Sequence, residues 1–218
     1  MFKEYGKRIV FCVCSLALFA LGNFFGVKAG VAGTNAWNTL SIGISEMFGL
    51  SFGVSTFIIS AIIILIDLLV RGKLGIGSIL NALLVPVFSD MYLTIFQFMP
   101  AASGAVLGAI YTLLGQVILS FATILYMSPS LGCGPRDTLM VLIGKKVPKV
   151  PIGAVRFCIE MVVLCVGLLL GAPFGLGTVL VMALQASIFQ LACRVTGMEP
   201  RSIPHEDFAA TYRRILKK

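Results

Sequence analysis

Two pairs of opposite charges stand out in this chain: Arg136 beside Asp137, and Arg156 four residues before Glu160. The first pair follows a turn-forming run, Gly132-Cys133-Gly134-Pro135. Proline suits the first turn of a helix, so a helix is expected to start at Pro135. The second pair has the i, i+4 spacing that puts both side chains on one helix face. Charges of this kind are costly inside hydrocarbon unless they are paired and used. The chemistry they fit is the binding of a charged solute. The bland alternative is a closed buried network that fixes helix packing.

The chain around these charges is nearly all hydrocarbon. Of its 218 residues, 58% are hydrophobic and 12% charged, and the mean hydropathy is +1.01. A soluble domain carries roughly a quarter charged residues, so an integral membrane protein is expected. The net charge of +8 does not point to nucleic acid, because the basic residues cluster at the ends of apolar runs. In a membrane protein that distribution reports orientation.

The motif at 132–137 has a weaker copy. Ala32-Gly33-Thr34-Asn35-Ala36-Trp37-Asn38-Thr39-Leu40 aligns without a gap with 131–139, matching Gly33 to Gly132 and Asn38 to Asp137. Further on, Gly53 aligns with Gly153, and Gly75-Ile76-Gly77-Ser78 with Gly175-Leu176-Gly177-Thr178. The chain therefore reads as two halves about 100 residues apart, a repeat pattern found in transporters. The expected division is 1–100, 101–198 and a polar amphipathic tail at 199–218.

Full-length apolar runs cover 9–27, 52–70, 76–98, 107–127, 152–170 and 176–193. The run at 9–27 is read as a span and not as a cleaved signal. The stretches at 35–48 and 135–144 are too short for a bilayer core of ~30 Å at ~1.5 Å per residue. Basic segments lie at the N-terminus, at Arg71 and Lys73, at Lys145 to Lys149, and in the tail. Placing all of them in the cytoplasm makes both short helices enter and leave from one side. The expected fold is all-α and integral to the membrane. It has six transmembrane helices plus two re-entrant half-helices, in two inverted-topology repeats. The alternative, in which the short helices span fully, satisfies the same charges.

These residues resemble the YczE/YyaS/YitT group of bacterial multi-pass membrane proteins. That group has a Gly-x-Gly-Pro-Trp-Asp type of motif early and Gly-x-Gly-Pro-Arg-Asp late. The late copy is intact here, whereas the early copy keeps Trp37 but has Ala36 for Pro and Asn38 for Asp. Arg156 with Glu160, and the element from Gly175 to Thr178, also fit. The resemblance implies a bacterial cytoplasmic (inner) membrane protein and little about its substrate.

The expected site is a mid-membrane centre where two half-helix N-termini converge. Its substrate-binding candidates are Arg136, Asp137, Gly134, Cys133, Asn35, Trp37, Asn38, Arg156, Glu160 and Asn81. Arg136 is expected to pair with Glu160 and Asp137 with Arg156, or in the crossed set. Helix dipoles add about half a charge at each tip, which suits a small anion or a carboxylate. Asp67 is expected to be solvated near one end of its span, and Asp90 interfacial. His205, the one histidine, reads as a surface residue.

No catalytic residue, cofactor or metal is expected: there is no nucleophile–base pair, no metal-ligand set and no phosphate loop. Five of the six cysteines lie in apolar runs, where a thiol acts as a small hydrophobe. The expected partners are a small-molecule or ion solute and the lipid bilayer, with a homodimer left open. The favoured function is a transporter or channel. The runner-up is a non-transporting partner or regulator of another complex.

Overall fold

A computed structural model describes residues 2–70, 74–147, 149 and 152–198. The expected tail helix, His205, Arg71 and Lys73 lie outside the described residues. Within them the chain is helical, with no strand. The helices are α1 (Phe2–Lys28), α2 (Ala36–Phe48), α3 (Phe52–Leu69), α4 (Ile76–Ile95), α5 (Ala105–Met127), α6 (Pro135–Lys146), α7 (Ile152–Leu169) and α8 (Leu176–Thr196). A 3-10 turn at Gly30–Ala32 follows α1.

Among the described residues, five helical stretches are long and apolar enough to cross a membrane: Tyr5–Lys28, Phe52–Leu69, Ile76–Ile95, Ala105–Met127 and Leu176–Thr196. Together with the apolar composition they make this a multi-span membrane protein. Helices α2 and α6 are short, at 13 and 12 residues. Their ends are set by local chemistry. Asn35 caps α2 by accepting from the Asn38 N–H at 3.0 Å, and Gly49 closes it in the left-handed region at φ 65°. Pro135 occupies the first position of α6.

The helices fall into two groups. In one, α1 packs on α4 and α5, and α5 on α8. In the other, α2 packs on α3 and α7, and α6 on α3 and α7. The groups meet chiefly where α3 packs on α4. Helices α7 and α8 hold the corresponding positions later in the chain, and Gln185 of α8 donates to Glu160 of α7.

Small residues let the backbones approach, as in other helix pairs buried in lipid. A Cβ at Gly22 would lie 2.9 Å from the Gly115 carbonyl oxygen, and one at Gly115 would lie 2.7 Å from that of Gly22, so α1 and α5 cross there. Where α2 crosses α7, a Cβ at Gly43 would lie 2.7 Å from the Gly167 carbonyl oxygen. A buried apolar cluster of Cys12, Leu16, Val85, Tyr126, Met127 and Leu131 lies beside the second motif.

Of the two acids placed outside the motifs, Asp67 differs from expectation. Asp90 is a cap: its carboxylate accepts from Ser51 Oγ at 2.5 Å and from the Gly53 N–H at 2.6 Å, closing the start of α3. Asp67 is not solvated. It is fully buried, and neither carboxylate oxygen has a hydrogen-bond partner among the described residues. It shares the packed face of α3 with Thr56, Ser60 and Ile63, whose i, i+4, i+7 and i+11 spacing carries it under neighbouring helices. Nearness to a helix end did not bring it to solvent.

Candidate functional site

The motif turns come first, because they aim the two short helices. Gly33 (φ 70°, ψ 177°) and Gly132 (φ 115°) hold backbone conformations that side chains rarely adopt. Each turn is gripped by the Gly-x-Gly element of the other half. The Gly77 N–H donates to the Leu131 carbonyl at 2.7 Å, and Ser78 Oγ donates to the Cys133 carbonyl. In the other half, Thr112 Oγ1 donates to the Gly33 carbonyl at 2.7 Å, and a Cβ at Gly177 would lie at that same distance from it.

Between the two helix groups lies a cavity of about 550 Å³. All ten residues singled out in the sequence line it: Asn35, Trp37 and Asn38 at the start of α2, Asn81 in α4, Cys133, Gly134, Arg136 and Asp137 at the start of α6, and Arg156 and Glu160 in α7. Its volume falls in the range of ordinary ligand cavities.

The charges are arranged differently from the cross-helix pairing expected. Arg156 Nε donates to Glu160 Oε1 at 2.9 Å within α7. The other Glu160 oxygen accepts from Gln185 Nε2 of α8. Asp137 accepts from the Tyr126 hydroxyl at 2.7 Å, and that hydroxyl accepts from the Gly134 N–H at 3.2 Å. Arg136 has no carboxylate within ion-pair distance among the described residues. Its guanidinium lies over the Trp37 ring, 4.7 Å from the centroid, in cation–π contact. So of the crossed set the Arg156–Glu160 pair forms and Arg136–Asp137 does not. The reason is local: Tyr126 reaches Asp137 from α5, and the face of Trp37 holds Arg136.

Trp37 and Arg136 thus join the tips of α2 and α6. The tips are capped unequally. Asn35 caps α2, whereas Gly134 has no side chain to cap α6. Arg156 sits over Phe189 at 5.9 Å, with its side chain 43% exposed, against 6% for Glu160.

Gln116, Tyr126, Gln185 and Phe189 are among the cavity residues that were not singled out in the sequence. Both glutamines interrupt apolar runs, a signal that was available. Tyr126 carried none, because a tyrosine near a span end reads equally well as an interfacial residue.

This arrangement has relatives. A protein of Haemophilus influenzae described as uncharacterized is 32% identical over 200 residues, covering 92% of this chain and 89% of its own. The Bacillus subtilis "Uncharacterized membrane protein YczE" is 29% identical over 214 residues, covering 98% and 95%. "Uncharacterized protein YyaS" of the same species is 23% identical over 177 residues, covering 81% and 87%. No solved structure matches. Residues 6–194, which include both motifs and every cavity residue, match the family of unknown function DUF6198, and the chain belongs to that family.

Proposed function

We propose that this protein is a membrane transporter or channel for a small polar solute, anionic or carboxylate-bearing, held at mid-membrane between two half-helix N-termini. The observation that carries this reading is the state of Arg136. It faces a cavity at an uncapped helix start with no carboxylate partner among the described residues, while both nearby acids already accept hydrogen bonds. An anion there would meet a guanidinium and free backbone N–H groups together.

The layout we propose is six spans and two re-entrant helices, in inverted repeats of 1–100 and 101–198. At ~1.5 Å per residue, α2 and α6 reach only about 20 Å and 18 Å. The packing partners also mirror one another: α1 on α4 with α5 on α8, and α2 on α7 with α6 on α3. The termini and the basic segments lie in the cytoplasm of a bacterium, and the protein in its inner membrane. A cysteine at Lys145 would then react with a membrane-impermeant label from the cytoplasmic side alone; periplasmic labelling would reject this orientation.

The test of function is flux in proteoliposomes over small inorganic and organic anions, with binding followed by thermal shift. Arg136→Gln keeps hydrogen-bond donors and removes the charge. It should lower anion binding at least about tenfold, with a smaller effect on folding. If cations or neutral solutes move and anions do not, the anion reading is wrong. A second reading, a non-transporting partner of another complex, draws on the internal pairing of Asp137, Arg156 and Glu160. It takes over if nothing moves.

A further inference from the structure

The cavity has two unlike walls. Helices α2, α6 and α7 supply its charges and its Trp37–Arg136 contact. Across from them, α1, α4 and α5 supply no charge and present Phe19, Val85, Leu119 and Met127 among amide and hydroxyl side chains such as Asn81 and Gln116. Val85 and Met127 belong to the buried apolar cluster, and the Phe19 ring packs edge-on against Tyr126 at 6.1 Å, so this wall is built into the core. A bare inorganic anion would leave that wall facing water, which is unfavourable by ~25 cal/mol for each Å² of apolar surface. The space, about 550 Å³, is also many times what a monatomic ion needs.

The polar side limits the headgroup. Arg156 is engaged by Glu160, which leaves Arg136 as the cavity-lining arginine without a carboxylate partner among the described residues. A second carboxylate on the solute would find no such cation. An ammonium group would meet Glu160 with both oxygens engaged, and at Asp137 a carboxylate with one oxygen already held by Tyr126.

Resting on the anion reading above, we infer that the solute is an organic monocarboxylate with an apolar body. Its carboxylate sits on Arg136 and the open start of α6, and its ring or chain lies against Phe19, Val85, Leu119 and Met127. Charge fixes the orientation and apolar burial supplies much of the affinity, as in other ligand cavities.

The experiment is thermal shift and competitive flux with the full-length protein, using 3-phenylpropanoate, phenylalanine, acetate, chloride and the neutral 3-phenylpropanol. The expected result is that 3-phenylpropanoate acts at concentrations at least about tenfold lower than acetate or chloride, that the alcohol does not act, and that Arg136→Gln abolishes the effect. Val85→Thr keeps the shape of the wall and adds a hydroxyl. It should weaken 3-phenylpropanoate about five- to tenfold and acetate less. Met127→Gln is a second test of the same wall should Val85→Thr fail to fold.

Chloride or acetate acting as well as 3-phenylpropanoate, in an Arg136-dependent way, would overturn the apolar body and leave the anion reading standing. Phenylalanine acting more strongly than 3-phenylpropanoate would replace the monocarboxylate with a zwitterion. No Arg136-dependent response to any anion would remove both readings.

Discussion

The two copies of the motif differ at one matched contact. In the second half, Asp137 faces the hydroxyl of Tyr126 on α5. In the first half, Asn38 faces Gly26 on α1, where a Cβ would lie 2.7 Å from its amide nitrogen. Acid with hydroxyl donor in one copy stands against amide with glycine in the other. The Asn38 amide nitrogen is buried and has no hydrogen-bond partner among the described residues. One tip therefore carries a charge and a donor that stabilises it, while the other carries neither and is closed by its own Asn35 cap. The cavity draws its two charged pairs of residues from the second half of the chain.

The largest effect should come from the turns themselves. Gly132→Ala would force a left-handed φ on alanine and place a Cβ 2.8 Å from Gly75 Cα, a backbone atom that cannot move aside. Strain and overpacking together should destabilise by about 4 kcal/mol. Gly33→Ala should come within about 1 kcal/mol of it, since its φ of 70° and a Cβ contact of 3.0 Å with the Pro173 carbonyl oxygen repeat the problem. Recovery of folded protein after heating in detergent would measure both. A tolerated Gly33→Ala beside a destructive Gly132→Ala would show that only one half needs its turn.

A smaller effect should follow from Tyr126→Phe. It removes the donor to Asp137 and the acceptor for the Gly134 N–H without changing the shape of the core. The loss should be about 2 kcal/mol, read as a lowered thermal midpoint. Pairing it with Asp137→Asn, which makes the second tip chemically like the first, should recover part of that loss. If the two losses simply add, the contact between Tyr126 and Asp137 is not what stabilises this tip.

Much of this was legible beforehand. Hydrophobic runs ended by Gly, Pro and basic residues fixed the helices: α3 and α7 start where the sequence put them, and α2 follows the Asn35 that begins its expected stretch. The internal match of Gly33 to Gly132 located both turns, and every residue taken from the motifs and from Arg156 to Glu160 faces one cavity. The partners of the charges were not legible. Whether Arg136 meets a carboxylate or the face of Trp37 depends on rotamers and on Tyr126 arriving from another helix. Asp67 misled for a similar reason. Its alignment partner in α7 is Gly167, which packs with no side chain against the backbone of α2 at Leu40. At the matching position of α3 the chain has a carboxylate instead, and it too is buried.

The grip of each Gly-x-Gly element on the other half's turn also bears on biosynthesis. The residues that close over the turn at Gly33, from Pro173 to Thr178, leave the ribosome 140 or more residues after it. Insertion of the spans must therefore precede completion of the first turn, in the two-stage order of membrane protein folding. Until α8 is in place the tip of α2 lacks its clamp, and a nascent chain that stalls before residue 173 exposes that turn to the membrane's quality control.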